Sequence, residues 1–204
     1  MATALTGARN TPDAVAPSFN WEAHTNAFGG RIQSAHALFQ HAIEQANSAG
    51  RIEQAAQWSA EDAETHALAG DCATARREIT AAVTLSRDNF TLERSARTLA
   101  VCGAAVEARS LDAELGRRYG DATLTRQIQR PLVNALLLTE AQPARAVDLL
   151  ETVRPYDSAP SAEFWPSYVR GLAYLRLKDV PKAGAEFDRI IAHRGEAPTS
   201  MLYT

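Results

Sequence analysis

The 204-residue chain carries a formal net charge of −3, and its residues are 46% hydrophobic but only 7% aromatic. This charge balance argues against a protein that binds nucleic acid or an anionic membrane surface, because either needs a concentrated positive field. The sequence has no run of about 18 apolar residues, so it predicts no transmembrane helix. Alanine accounts for 40 residues. Because alanine is the best helix former and lets helices approach closely, the composition favours a thinly layered all-helical fold.

Glycine and proline divide the chain into ten predicted helices, which form five hairpins. Glycine is favoured just past a helix end because it adopts the left-handed conformation at little cost. Pro131 falls inside the seventh predicted helix and predicts a kink there, whereas Pro143 lies near the favoured first position of the eighth. In chain order the predicted helices are 19–28, 31–48, 51–69, 72–86, 89–101, 104–119, 122–140, 143–153, 163–177 and 180–193.

The segments outside these helices predict the domain organisation. Residues 1–18 are rich in alanine, threonine and proline and are expected to be a disordered or linker segment. Residues 154–162 form the longest predicted internal loop. Residues 194–204 are interpreted as the start of a further repeat that has been cut off, since the ends of helical arrays normally carry a polar cap. The region 19–193 is therefore predicted to be one continuous helical repeat domain.

An alanine recurs in a similar local sequence in the second helix of each predicted hairpin. A short polar or glycine break precedes it, and apolar or small residues usually follow at four and seven positions. The intervals between successive alanines are 40, 33, 38 and 37 residues, and the alanines are Ala35, Ala75, Ala108, Ala146 and Ala183. A recurrence with this period is typical of stacked helical hairpins rather than of a single-core enzyme domain.

These segments resemble the tetratricopeptide repeat, a 34-residue helix–turn–helix unit. The family pattern in the second helix falls on the trios Ala35/Phe39/Ala42, Ala75/Ile79/Ala82, Ala108/Asp112/Leu115, Ala146/Leu150/Val153 and Ala183/Phe187/Ile190. Its small residue in the first helix falls on Ala23, Ala63, Ala96, Asn134 and Gly171, and only Asn134 departs from the pattern. The resemblance implies an all-α fold, a right-handed tetratricopeptide-like superhelix (an αα-solenoid) of about five helix–turn–helix hairpins. The first helices match the family more loosely than the second ones.

Three stretches have a narrower resemblance, beginning at ETHALAGDC, PLVNALLLT and FWPSYVRGL. They are similar to the C-terminal repeat region of bacterial eukaryotic-like Ser/Thr protein kinases and of related winged-helix regulators. This resemblance implies that the chain is the regulatory or sensor region of a larger signalling protein, whose catalytic or DNA-binding domain lies elsewhere. The compartment stays open, because the chain would be cytoplasmic, or periplasmic if its parent protein has an upstream membrane span.

Residues able to carry chemistry are few, so the sequence predicts no enzymatic activity, no cofactor and no metal site in this chain. No GxSxG, HExxH, CxxC or GxxxxGK[ST] motif occurs. His41 and Glu44 share a helix face, but no second pair of ligands accompanies them, so they are interpreted as solvated residues. Cys72 and Cys102 are interpreted as small helix residues, with a disulfide as the alternative.

Four residues are predicted to contact a protein or peptide partner: Arg97, Trp165, Tyr168 and Arg176. In the family that the chain resembles, the first helices line the concave face, and aromatic and arginine residues are favoured as interface anchors. The alternative for Trp165 and Tyr168 is packing against the preceding hairpin or the 154–162 loop. The lysine and asparagine with which part of the family grips terminal carboxylates are absent, which favours an extended or helical peptide, or another copy of the domain, as the partner.

Three functions are therefore carried forward from the sequence. The first is a non-catalytic protein–protein interaction module that binds neither nucleic acid nor membrane. The second is a self-association scaffold that forms a homodimer through the exposed terminal hairpin. The third is a sensor whose small ligand or peptide changes the curvature of the repeat array.

Overall fold

The computed structural model describes residues 12–193, 195–197, 200 and 202. Ten α-helices make up most of these residues, and the described part of the chain contains no strand. The predicted all-α class is therefore confirmed. Within the same residues, every helix is too short or too polar to serve as a membrane span.

The helices follow the predicted segments closely over most of the chain. They are α1 (Pro12–Phe28), α2 (Ile32–Ser48), α3 (Ile52–Leu68), α4 (Cys72–Leu85), α5 (Asn89–Val101), α6 (Ala105–Tyr119), α7 (Arg130–Leu138), α8 (Pro143–Glu151), α9 (Trp165–Arg176) and α10 (Val180–Ala192). The first helix begins at Pro12, earlier than the predicted residue 19, so residues 12–18 are helical. The rest of the predicted linker, 1–11, and most of the predicted further repeat in 194–204 lie outside the described residues.

Several of the helices end in short turns that contain a left-handed residue. Gly70, which follows α3, has φ of +86°, a value that glycine adopts without steric cost. The turn between α9 and α10 has the same character, but there the left-handed residue is Lys178 with φ of +62°. Asp179 then begins α10 by accepting a hydrogen bond from the Lys182 backbone N–H. These turns explain why the predicted boundaries at Gly70 and Lys178 are accurate.

The predicted helix 122–140 is a continuous helical run from 123 to 138, and it contains a change of hydrogen-bond register. A π-helical turn spans Thr125–Gln129, and α7 starts immediately afterwards at Arg130. Pro131 directly follows the π turn, and the backbone before it is helical, with Gln129 in the right-handed α conformation. Single π turns of this kind occur inside α-helices. The side chains of Thr125 and Gln129 join across the π turn, with Thr125 Oγ1 donating to Gln129 Oε1 over 2.8 Å. The proline therefore lies inside a helical run, as predicted, next to a π turn.

The chain divides into two compact units, and the prediction of one continuous array over 19–193 stays a prediction. The described residues through Thr98 form the first unit, and those from Leu99 onward form the second. In the first unit α2 packs on α1 and α3, and α3 packs on α4. In the second unit α7 packs on α6 and α8, and α9 packs on α8 and α10.

Alanine dominates the interior of the first unit. One cluster joins Trp58 of α3 to alanines of α1, α2 and α3, with Phe19 and Leu85 at its edge. The second unit has an aromatic cluster near its C-terminal end, where Phe164 and Ile190 pack with Ala197, and Tyr168, Phe187 and Leu202 lie against them. Neither Cys72 nor Cys102 is a free thiol.

Candidate functional site

Helix α3 is buried along most of its length, even though it contains the strongly polar segment EDAETH. It packs between α2 and α4, and its small residues let both neighbours approach closely. Asp62, Glu64 and His66 are consequently removed from solvent together with its alanines. A buried charged group is costly unless it is paired or coordinated, so the partners of these side chains indicate what the helix can do.

Three polar side chains meet where α2 lies against α3, and we call them the His–Asp–His cluster: His36, Asp62 and His66. The Nδ1 atom of His36 is 2.7 Å from Oδ2 of Asp62, and Nε2 of His66 is 3.6 Å from Oδ1 of the same carboxylate. The two imidazole rings meet edge to face, with their centroids 5.0 Å apart. Asp62 and His66 share a face of α3 because they are four residues apart. The cluster therefore brings two imidazoles to the two oxygens of one carboxylate.

The members of the His–Asp–His cluster differ in their exposure to solvent. The side chains of Asp62 and His66 are 0% and 2% exposed, whereas that of His36 is 30% exposed. The hydrogen bond to Asp62 raises the pKa of His36, although partial burial acts in the opposite direction. Gln40 also donates to Asp62, from Nε2 to Oδ2 over 3.1 Å. By contrast, neither ring nitrogen of His66 has a hydrogen-bond partner among the described residues.

The histidine that the sequence analysis weighed as a metal ligand lies outside this cluster. His41 is exposed on α2, and its ring meets Phe19 edge to face at 4.2 Å. Sequence reasoning missed His36, Asp62 and His66. The i, i+4 spacing of Asp62 and His66 is a readable signal, but His36 comes from another helix.

Glu61 is the centre of a second polar network in the first unit. Its carboxylate accepts hydrogen bonds from Asn20 Nδ2 at 2.9 Å and from His24 Nε2 at 3.1 Å, and Arg94 Nη1 lies 3.0 Å away. Burial opposes ionisation of this carboxyl. The hydrogen bond with His24 and the charge of Arg94 outweigh that cost and lower the pKa of Glu61 to about 2. The carboxylate therefore links α1, α3 and α5 as an ion and is not available as a proton donor at neutral pH.

Arg97, one of the four predicted partner contacts, belongs to the interior. Its side chain is 1% exposed, and its Nε atom lies 2.9 Å from Glu64 Oε1. Its Nη1 atom is 3.5 Å from Glu93 on the same helix. The prediction that Arg97 faces a partner is therefore corrected, because its guanidinium balances carboxylates that are buried with it.

The second unit contains a network of five charged side chains, which we call the Arg170 network. Arg170, Asp157 and Glu186 are buried, and the more exposed Arg154 and Arg189 lie at its edge. Arg170 donates to Asp157, and its Nε and Nη2 atoms pair with the two oxygens of Glu186 at 2.9 and 3.0 Å. Its Nη1 atom donates to the carbonyl oxygen of Leu150. The Arg170 network therefore ties α8, α9 and α10 to the loop after α8.

The acid response of the second unit follows from Glu186. Burial opposes its ionisation, but hydrogen bonds from Arg170 and the charges of Arg154 and Arg189 lower its pKa below the usual range. The ionised carboxylate thus stabilises the folded unit above the unfolded-state pKa of about 4.3, and this contribution is lost as the pH falls through the folded-state pKa.

We therefore expect the free energy of unfolding to decrease below about pH 5. Urea denaturation at a series of pH values measures this dependence. In Glu186→Gln the dependence should be shallower, because the titrating group is gone. An identical slope in the variant would show that other carboxyls control the acid response.

The remaining predicted contacts lie on α9, and they differ in exposure. Trp165 is fully buried and meets Tyr168 edge to face at 5.4 Å, so its predicted partner contact is corrected to a packing role. Tyr168 is half-buried, and burial raises its pKa.

Arg176 lies at the other end of α9, about 16 Å along the axis from Trp165. It is exposed and pairs with Glu140, from Nε to Oε1 over 2.9 Å. Partner contact by Tyr168 and Arg176 stays a prediction.

Exposed apolar residues flank Arg176 in the sequence at the turn between α9 and α10. Leu175, Leu177 and Val180 are all large hydrophobic residues with substantial exposure, and Val180 is 65% exposed. We call Leu175, Arg176, Leu177 and Val180 the terminal-turn surface. Sequence reasoning identified only its arginine. The signal for the others was apolar residues immediately flanking a predicted turn.

Comparison with known proteins gives no relative from which a function could be transferred. No protein-family profile, curated protein or solved structure matches the sequence.

Proposed function

We propose that this chain is a non-catalytic protein-interaction module of the tetratricopeptide type, which serves as the regulatory or sensor region of a larger signalling protein such as a Ser/Thr kinase. Its partner is a protein or peptide that docks on the terminal-turn surface. The observation that carries the proposal is the exposure of three large apolar side chains next to Arg176 at one turn. Such groups favour a partner that covers them, since interfaces combine apolar anchors with arginine.

The burial pattern supports the repeat type. The residues that the resemblance placed in the interior of the second helices are buried in nearly every trio, and Phe187 is half-buried. The degenerate trio is informative. Asp112 is buried too, but it pairs with Arg130, whose Nη2 atom is 3.1 Å from Asp112 Oδ2. Leu111 and Leu115 are buried beside it, as expected if they supply the packing that Asp112 cannot.

The charged residues of the interior are paired with one another, which favours a structural role for them. Recognition of a partner is then left to residues on the surface. In the Arg170 network each carboxylate faces a guanidinium, and Glu61 faces Arg94 and His24. Arg154, Arg189 and His193 border a cleft of about 660 Å³ in the second unit. Each of them is already paired with a carboxylate there, which makes the cleft a weaker candidate than the terminal-turn surface.

The test is a charge placed on the terminal-turn surface. We expect Val180→Asp to raise the dissociation constant for the partner at least tenfold, because it buries a carboxylate in an apolar contact. The partner is first captured by crosslinking to the wild-type chain and identified. It is then purified and titrated by calorimetry against the wild-type and variant chains.

Val106→Asp is the matched control, because Val106 is 78% exposed on α6 and receives the same charge outside the terminal-turn surface. The control should bind as the wild type does. Equal affinity for wild type and Val180→Asp would reject this surface. Light scattering tests the alternative function, self-association: a concentration-dependent dimer lost in Val180→Asp would replace the external partner by a second copy.

A further inference from the structure

We propose that the His–Asp–His cluster binds a divalent transition-metal ion of the Zn²⁺ type through His36, Asp62 and His66. This site lies in the first unit and does not depend on the proposed interaction function.

The donor set suits such an ion. Two imidazole nitrogens and one carboxylate oxygen are ligands that Zn²⁺ and its neighbours in the first transition row prefer. One atom from each of the three residues lies within 4.8 Å of the other two. Zn²⁺ bonds of 2.0–2.2 Å place tetrahedral ligands about 3.3 Å apart. The 2.7 and 3.6 Å distances from the imidazole nitrogens to Asp62 bracket that value. A rotation of the more exposed His36 side chain would bring its ligand nitrogen to the spacing that the ion requires.

The burial of the donors points to a cation. Both ring nitrogens of His66 and the Oδ1 atom of Asp62 are buried without a hydrogen-bond partner among the described residues. Polar groups left without a partner in the interior are destabilising. A cation between them would satisfy the His66 nitrogen and the carboxylate oxygen together. Binding would displace the proton that His36 shares with Asp62, and the proton would pass to solvent on the exposed side of His36.

The surrounding groups are placed to orient these ligands. Oδ2 of Asp71 lies 3.5 Å from Nδ1 of His66, on the side of the ring away from Asp62. This is the position of the outer carboxylate that commonly holds a metal-bound histidine in one tautomer. Gln40 donates to Asp62 Oδ2 and steadies the carboxylate from the other side.

The three ligands of the proposed site come from two different helices. His36 is on α2, whereas Asp62 and His66 are on α3, so the ion would bind two successive hairpins together. Three protein ligands leave a fourth tetrahedral position for water or for a donor from another molecule. Solvent reaches the cluster at His36. We therefore expect the ion to stabilise the first unit.

Calorimetric titration of the chelator-treated full chain with Zn²⁺ tests the site. We expect one equivalent to bind and the melting temperature to rise with Zn²⁺ concentration, because the ion binds only the folded state. Titration with Co²⁺ should give visible absorption typical of low-symmetry nitrogen and oxygen ligation. In His36→Gln the dissociation constant for Zn²⁺ should increase at least tenfold and the thermal shift should disappear. His36 is the residue to change first, since Asp62 and His66 are buried and their replacement risks unfolding.

His193→Gln is the matched control, because His193 is half-exposed and lies outside the cluster in the second unit. It should keep wild-type affinity and wild-type thermal shift. Circular dichroism verifies that both variants are folded. The proposal is overturned if the wild-type chain shows no saturable Zn²⁺ binding, or if His36→Gln binds Zn²⁺ as tightly as the wild type.

Discussion

Replacing Arg170 by methionine is expected to lower the free energy of unfolding of the second unit by about 3 kcal/mol. Breaking a buried ion pair typically costs about 3–5 kcal/mol, because the remaining charge is left in a poorly solvated place. Methionine keeps much of the aliphatic length of the side chain, but Asp157 and Glu186 lose the guanidinium that contacts both. Arg154 and Arg189 still neutralise part of that charge, so the expected loss falls at the lower end of the range.

Urea denaturation measures this loss, and amide hydrogen exchange in α8 to α10 assigns it to the second unit. Arg176→Met is the matched control, since Arg176 pairs with Glu140 on the surface and its side chain is 56% exposed. Exposed pairs contribute only about 0–1 kcal/mol. Similar losses in the two variants would show that the Arg170 network contributes no more than a surface pair.

Gly171→Ala is expected to destabilise the second unit by about 1–3 kcal/mol, the usual cost of overpacking. A Cβ atom at Gly171 would lie 2.5 Å from Cε1 and 2.7 Å from Cζ of Phe187. The ring of Phe187 packs in the aromatic cluster with Tyr168, so α9 and α10 must separate or the ring must move. Thermal denaturation followed by circular dichroism measures the change.

Gly184→Ala on α10 is the control with the opposite expected sign. A Cβ there would meet no atom within 4 Å, so alanine should stabilise the helix by about 0.5–1 kcal/mol. A loss of stability in both variants would show that the loss at Gly171 is not specific to its contact with Phe187. A gain of stability in both variants would contradict the predicted overpacking at Gly171.

Much of the helical fold could be predicted from local signals. The bounds of α4 and α5 agree with the predicted segments within a residue, because Gly70, Asp71 and the Asp88 carboxylate mark helix ends chemically. The features that the sequence did not predict depend on packing between distant parts of the chain. The alanine recurrence reports which faces are buried but not how far the packing continues, so the division near Thr98 was not predictable from it.

The sites were harder to predict, because their partners come from distant positions. Nothing local in the sequence shows that Arg97 faces Glu64, which is on another helix. Trp165 could be read as an exposed anchor or as core, and its complete burial decides for the core. His36 is 26 residues from Asp62, so only the packing of α2 on α3 brings the His–Asp–His cluster together.

The interior of alanine and paired charges has a thermodynamic consequence. Unfolding raises the heat capacity where apolar surface becomes exposed and lowers it where polar surface does. Helix α3 buries Asp62, Glu64 and His66 among alanines, so unfolding this part of the chain exposes an unusually polar surface. Its heat-capacity increment should lie below the usual value of about 12–15 cal/mol/K per residue. The free energy of unfolding would then vary only gently with temperature, and the hairpins would keep similar stability under cold and warm conditions.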